Sequence, residues 1–333
     1  MVPPNLRAPS SELHALMEAV RSVLPLVRAL GAELPRVPPI VKGDGTPVTA
    51  ADFAAQAILV HTLRGMAPGA GFYCEESLEG LREAGRPDVE RLFLETVRSR
   101  LPGVGEAEAF ALLDPPGPEA REWWVIDPID GTSGFVAGAH CSVCVAHVVD
   151  GRARLGVVGS PRLAAHGAPE PVLAGPGCVV GAERGRGAWL LDEATGAHAP
   201  LRREPWRAPL RWARSMNRRK HKMRAQPPLE SLGIPLESIP IDSQCKYALL
   251  ATGRADLAVR LPGARGPERA WDHLAGVLAA SEAGLCATDI EGRPIDPGHG
   301  YALSGNRGVL CAPPELHARV SAALCAALAA EEC

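Results

Sequence analysis

The run Trp123-Trp-Val-Ile126, followed at once by Asp127-Pro-Ile-Asp-Gly-Thr132, constrains this chain more than any other segment. Four consecutive apolar residues with aromatic and β-branched members predict a buried strand. That strand ends abruptly in two carboxylates, which is costly unless something positive meets them. Pro128 stiffens the turn so that both Asp side chains converge. Hard divalent cations such as Mg²⁺ take oxygen ligands, commonly one or two carboxylates plus substrate phosphate. Gly131 and Thr132 add backbone N–H groups and a hydroxyl suited to phosphate oxygens. The competing reading is that Asp127 and Asp130 only cap a turn, as Asp-Pro and Asp-Gly often do.

Three further acidic sites bear on that choice. Glu75-Glu76-Ser77 repeats the pattern of carboxylates after a short apolar segment, Gly71-Phe-Tyr-Cys74. Asp272 is expected in the first turn of a helix running to about Ala283, where its ordinary role is a favourable dipole contact. Asp52 closes a capping box, Thr49-Ala-Ala-Asp52, and needs no other role. Each simple reading is respectable singly, but their joint occurrence asks for a common cause.

Around these sites the periodicity predicts alternating helices and strands. Residues 12–30 read as an amphipathic helix with Gly31 as its stop, and the capping box opens a second helix to about Met66. Residues 78–121 read as a helical insertion and then a loop, because Asp114-Pro-Pro-Gly-Pro118 breaks any helix. Asp150-Gly151 joins strands near 141–149 and 153–159, and a second hairpin turns through Glu183–Gly187. Later elements are a strand near 210–214, a helix capped by Asp242-Ser243 and closed by Gly253, and a strand over 256–261. A strand-like pair near 301–312 and an Ala-rich helix from Pro314 finish the chain. The whole reads as stacked α and β layers. Its boundary lies near 195–209, giving a half over 1–200 with most acidic sites and a half over 201–333 with Asp272.

Composition excludes several classes. The 333 residues carry a formal net charge of −3, so no bulk charge draws the chain to a nucleic-acid polymer or a membrane. No run approaches the ~18 apolar residues of a membrane span, and no secretory signal stands at the N-terminus. Arg7, Ser10 and Ser11 precede any acidic residue, which leaves a short organelle-targeting tail open beside a cytoplasmic location. The nine Cys read as reduced, mostly buried thiols; Cys141 and Cys144 have zinc-like spacing but point to opposite faces of a strand. The ten His are scattered and read as surface or packing residues. Gly175–Gly181 has one residue too many for a dinucleotide fingerprint, and there is no Gly-x-Ser-x-Gly, Walker or His-Glu-x-x-His motif.

Val48-Thr-Ala-Ala-Asp52, Cys74-Glu-Glu-Ser77, Asp127-Pro-Ile-Asp-Gly-Thr132 and Trp271-Asp272 resemble, in order, the motifs of the inositol monophosphatase superfamily. The likeness runs from about Lys42 to the C-terminus. It implies an α/β fold layered as an α-β-α-β-α sandwich, and a lithium-sensitive, Mg²⁺-dependent phosphatase with two or three ions. Glu75, Asp127, Asp130, Asp272 and the Ile129 carbonyl would hold metal. Thr132 with Asp52 would orient and deprotonate the attacking water, and Gly131 and Thr132 would contact the scissile phosphate. A carboxylate partner for Thr132 is chemically sensible, because a hydroxyl is no base alone.

Asp242-Ser-Gln-Cys-Lys-Tyr247, Gly253-Arg-Ala-Asp256 and Arg260-Leu-Pro262 resemble the nucleotide-side segment of the 3′(2′),5′-bisphosphate nucleotidases within that superfamily. This implies removal of the 3′-phosphate from 3′-phosphoadenosine 5′-phosphate, extending to the 5′-phosphosulfate, by a monomer acting on a small bisphosphate. Ser215, Ser243, Lys246 and Arg260 would hold the substrate. Three positions depart from the pattern: Cys74 where Gly is common, Ser133 where Lys is frequent, and Met216 where a His commonly stacks on adenine. They keep two alternatives open, an inositol (poly)phosphate phosphatase and a non-catalytic nucleotide or metal sensor. The basic run Arg218–Arg224 reads as a solvated loop, or else as a funnel for a doubly charged substrate.

Overall fold

The computed structural model describes residues 8–118, 121–167, 176–216, 224–263, 266–298 and 300–332. Helix α1 (Ser11–Glu33) is capped by the Ser10 side chain and turns Leu13, Met17, Val20, Leu24 and Val27 inward at helical spacing. It passes through Gly31 instead of stopping there; that glycine lies against the Phe135 ring, where a Cβ would come within 3.1 Å. A two-stranded ribbon, β1 (Ile40–Val41) and β2 (Pro47–Val48), leads into α2 (Ala50–Met66), whose capping box forms as expected. Next come β3 (Gly71–Cys74), the helical insertion α3 (Leu78–Glu83), α4 (Pro87–Arg100) and α5 (Glu106–Ala111), and then β4 (Glu122–Asp130).

After β4 follow the short helix α6 (Thr132–Val136), β5 (Ser142–Val149) and β6 (Arg152–Ser160). Asp150 and Gly151 both take positive φ, 49° and 71°, as a two-residue hairpin requires. Strands β7 (Cys178–Glu183), β8 (Gly187–Asp192) and β9 (His198–Leu201) complete a seven-stranded sheet in chain order from β3 to β9. Only β3 and β4 pair in parallel; the other neighbours are antiparallel.

The remaining elements are β10 (Leu210–Arg214), α7 (Gln226–Glu230), β11 (Leu236–Pro240), α8 (Cys245–Ala251), β12 (Leu257–Arg260), α9 (Leu274–Glu282), β13 (Cys286–Thr288), β14 (Val309–Ala312) and α10 (Pro314–Glu332). They build a five-stranded mixed sheet in the order β11-β10-β12-β14-β13. Of the expected pair near 301–312 only β14 is a strand; it pairs with β12 on one side and β13 on the other, with Val259 and Thr288 opposite Leu310.

Helices α1 and α2 cover one face of the large sheet, and α8 and α9 lie between the two sheets. Helices α7 and α10 close the far side of the smaller sheet. The layers are therefore α-β-α-β-α. Alternate residues of one strand feed different cores: Trp189 and Leu191 face α1 and α2, while Ala188 and Leu190 face α8 and α9. A sheet covered on both faces has no solvent side, so its strands read as continuous apolar runs. Between the layers α8 and α9 approach closely at Gly276, where a Cβ would fall 2.1 Å from the Tyr247 ring.

Eight cysteines are free among the described residues, five of them buried, and no metal-competent cluster among those residues contains a thiol. Among those residues no helix is long and apolar enough to cross a membrane. The basic segment 218–223 lies outside the described residues. Arg224, which ends the basic run and is described, pairs with Glu331 and donates to the Pro262 carbonyl at 3.1 Å.

Candidate active site

Parallel pairing of β3 with β4 sets Cys74 opposite Ile126, so Glu75, the first residue past β3, comes beside Asp127, the next residue of β4. The Glu75 N–H donates to the Ile126 carbonyl at 3.1 Å, which fixes that placement. Asp127 and Asp130 are three apart and would face opposite sides of a regular strand. The pairing shifts between them: Asp127 lies opposite Cys144 and Asp130 opposite Ser142. Three steps on β4 thus match two on β5, a β-bulge that re-aims one side chain. Asp272 arrives from the far half of the chain. Carboxylate oxygens of Asp127, Asp130 and Asp272 lie within 4.8 Å of one another.

The electrostatics are those of a site short of positive charge. Asp127 is 1% exposed, and its Oδ1 is buried without a hydrogen-bond partner. A turn-capping Asp would be bonded, so the simple reading of this residue fails. Burial, and then repulsion from Glu75, Asp130 and Asp272, drives its carboxyl far above the usual range. Burial and Glu76 push Glu75 up to about 8, and burial, reinforced by Asp130, pushes Asp272 to about 6. Lys42 answers part of this charge. Its Nζ pairs with Glu76 and lies 3.7 Å from Glu75; burial would lower it, but both carboxylates outweigh that and raise it. Nothing in the sequence singled out Lys42.

Asp272 does not sit in the first turn of α9. It lies in the turn before that helix, whose N-cap is His273 and makes no side-chain cap. Its N–H donates to the Arg269 carbonyl at 3.2 Å, and its carboxylate is free for the acidic cluster. The expected cap by Asp242 also differs. Asp242 accepts from Ser215 Oγ at 2.6 Å and from the Met216 N–H at 3.2 Å, so it ties β10 to the α8 approach. Ser243 does bond locally, its Oγ accepting from the Cys245 N–H at 3.2 Å.

Asp52 divides its two oxygens between both of its readings. Oδ2 accepts from the Thr49 N–H at 2.8 Å and the Thr49 hydroxyl at 2.7 Å, closing the capping box. Oδ1 accepts from Thr132 Oγ1 at 3.2 Å. The same hydroxyl reaches the Ile129 carbonyl at 3.0 Å, so its single proton has two acceptors. Burial, and then the nearby Glu76, raises Asp52 to about 7.

Gly131 takes φ +82°, and a Cβ there would come within 2.8 Å of the Ser243 Cβ. That contact joins the loop after β4 to the segment leading into α8. Gln244, unmarked in the sequence, pins the junction. Its N–H donates to Asp130, its Nε2 to the Trp271 carbonyl at 2.7 Å, and its Oε1 accepts from the Gly276 N–H at 3.0 Å. Lys246 and Arg260 stand close enough to oppose the raised carboxyl of Asp130, which burial pushes up first of all. Arg260 is oriented from behind, its Nε 3.0 Å from Glu268, which also meets His273 Nε2 at 3.2 Å. Burial opposes, but His273 and Arg260 together hold Glu268 down at about 2. Ser215 spends its hydroxyl on Asp242. Met216 is 44% exposed and Ser133 is also exposed.

Two carboxylate-bearing strand ends, a bulge and a layered α-β-α-β-α frame define a class of acidic-site enzyme in which oxygen ligands converge between two sheets. The sequence signature of the inositol monophosphatase family matches residues 11–329, and the chain belongs to that family. It is similar to a 3′(2′),5′-bisphosphate nucleotidase of Emericella nidulans, 32% identical over 86% of this chain and 89% of that one. A protein of the same name from Dictyostelium discoideum is 30% identical over 82% and 83%. Among solved structures, extragenic suppressor protein suhB of Bartonella henselae shares the fold with a TM-score of 0.67, 19% identity and coverage of 95% and 98%. CysQ of Bacteroides thetaiotaomicron does so with 0.62, 18% identity and coverage of 93% and 99%.

Proposed function

We propose that this chain removes the 3′-phosphate of 3′-phosphoadenosine 5′-phosphate, giving AMP and phosphate, and also accepts the 5′-phosphosulfate analogue. The reaction class rests on one observation. A bulge brings Asp127 and Asp130 together where the turn before α9 delivers Asp272, strand register sets Glu75 beside Asp127, and a buried carboxylate oxygen is left there without a partner. Similarity to 3′(2′),5′-bisphosphate nucleotidases supports a bisphosphate nucleotide as substrate, and the resemblance of the 242–262 segment supports adenosine as its nucleoside.

The donor set is all oxygen, which fits Mg²⁺ in preference to softer ions. Glu75, Asp127, Asp130, Asp272 and the Ile129 carbonyl would hold two or three such ions. When bound, these ions neutralise the phosphate and make its attacking water more acidic. The chain's own residues do the rest. Thr132 accepts the proton of that water while its own proton moves to Asp52 Oδ1. A base raised to about 7 is matched to neutral solution. The water oxygen bonds to phosphorus as the bond to O3′ breaks in line, with inversion, and O3′ takes a proton from solvent to leave as the hydroxyl of AMP. Gly131 positions the scissile phosphate, and Ser243, Lys246 and Arg260 take the second phosphate and the nucleoside, while Ser215, its hydroxyl donating to Asp242, holds that carboxylate in place beside them. On this reading the protein acts as a monomer on a diffusible small molecule in the cytoplasm.

Phosphate release from 3′-phosphoadenosine 5′-phosphate with Mg²⁺ tests this; turnover no greater than that of Asp127→Asn refutes it. Exposed Met216 in place of a base-stacking His favours a second reading, an inositol phosphate substrate. A higher kcat/KM for inositol 1,4-bisphosphate than for the nucleotide would establish it.

A further inference from the structure

The fold brings together three metal-competent side chains far from the acidic site. His14 and Glu18 lie one turn apart on α1, so they share a helix face. His198 begins β9, the edge strand of the large sheet, and packs onto that face. The two imidazole rings are 4.9 Å apart between centroids and tilted by 54°. One ligand atom from each of His14, Glu18 and His198 lies within 4.8 Å of the others. Both ring nitrogens of His198 are sealed from solvent, and neither has a hydrogen-bond partner. Arg21 meets Glu18, but both guanidinium contacts fall on Oε2.

We propose that His14, Glu18 and His198 form a second metal site, specific for a borderline dication of the zinc class and distinct from the magnesium site. Two imidazole nitrogens and one carboxylate oxygen suit Zn²⁺, Co²⁺, Ni²⁺ or Cu²⁺ and disfavour Mg²⁺, which prefers oxygen. Three protein ligands leave a fourth position for water. Burial, and then the neighbouring His14, lowers the His198 pKa, which keeps that ring neutral with a lone pair to give. Ligation at ~2.0–2.1 Å requires the donors to close inward by side-chain rotation. Such an ion ties the first helix to the sheet edge, joining residues 14 and 18 to 198, at a site that only the folded chain assembles.

The test uses the full chain saturated with Mg²⁺, so that the acidic site is filled. Zn²⁺ binding is measured by equilibrium dialysis, and Co²⁺ by its visible absorption. The wild type should bind one more Zn²⁺ than His14→Ala or His198→Ala, or bind it at least ~10-fold more tightly, and show four-coordinate Co²⁺ bands. Glu18→Gln should weaken binding while remaining folded. His14 is exposed, so its variant folds even where His198→Ala does not. Zn²⁺ stoichiometry and affinity unchanged in His14→Ala and Glu18→Gln would overturn the site. Because the readout is binding, it stands or falls independently of the reaction catalysed.

Discussion

Asp127 and Asp256 are the same residue type at nearly the same burial, 1% and 0% exposed, in opposite electrical surroundings. Asp256 accepts from Arg203 at 2.6 Å, from the Arg211 N–H at 3.1 Å and from the Arg211 guanidinium twice at 2.8 Å. Its charge is fully met, and it locks the start of β12 to β10. Asp127 has carboxylates for neighbours and one oxygen with no partner at all. A buried charge left unmet is too costly to be architecture alone. Asp256 lies in the stretch that resembles a nucleotide-side segment, yet it is a buried strut. Burial of a carboxylate therefore says little; which charges reach it says what it is for.

Breaking the strut should have the largest effect. Asp256→Ala leaves buried Arg203 with carbonyl partners but no counter-charge, and should cost about 3–5 kcal/mol of stability, read as a lower urea midpoint. A loss near zero would mean the pair is as dispensable as a surface bridge. Asp127→Asn should do the reverse. Phosphate release should fall by at least ~10²–10³-fold, the typical cost of removing one charge-stabilising group. The metal-free fold should be no less stable, because a repelling charge has gone. A clear drop in the metal-free Tm would make Asp127 a strut like Asp256.

Asp52→Asn should lower kcat/KM by about 10²-fold and remove one feature of the pH profile. Wild-type activity should rise as Asp52 loses its proton through about pH 7; a variant that keeps this limb would place the base elsewhere.

The smallest effect sharpens the contrast most directly. Carboxyls raised by folding bind more protons in the folded state than in the unfolded one. Their stability contribution is therefore lost as pH rises from the unfolded values near 4 to about 8, the level of Glu75. Chelator-treated protein should lose Tm across that window, and the Mg²⁺-induced rise in Tm should grow from pH 6 to pH 8. A pH-independent Mg²⁺ increment would mean the carboxylates are not its ligands.

Much of the frame was legible because it is local. The capping box at Thr49, the Asp150-Gly151 hairpin and the apolar face of α1 each depend on residues within a turn or two. The misreadings fall where local chemistry was outbid. Asp242 is a good cap by type, but Ser215 and the Met216 N–H claim its carboxylate. Asp272 looked like a first-turn acid, but the helix begins at Leu274. Gly31 looked like a stop, but the helix continues to Glu33 over the Phe135 ring. Lys42 and Gln244 carried no signal, since a lysine after an apolar strand and a glutamine before a helix are ordinary.

The sequence by itself determined the inventory of the acidic site: Glu75, Asp127, Asp130 and Asp272, with Asp52 and Thr132 beside them. Tertiary structure alone decided that a bulge turns Asp127 and Asp130 to one side, that two arginines silence Asp256, and that His14 meets His198. The reason is range. Helical turns and hairpins are set by neighbours a few residues away, whereas the charge state of a buried group is set by whatever distant segments deliver to it.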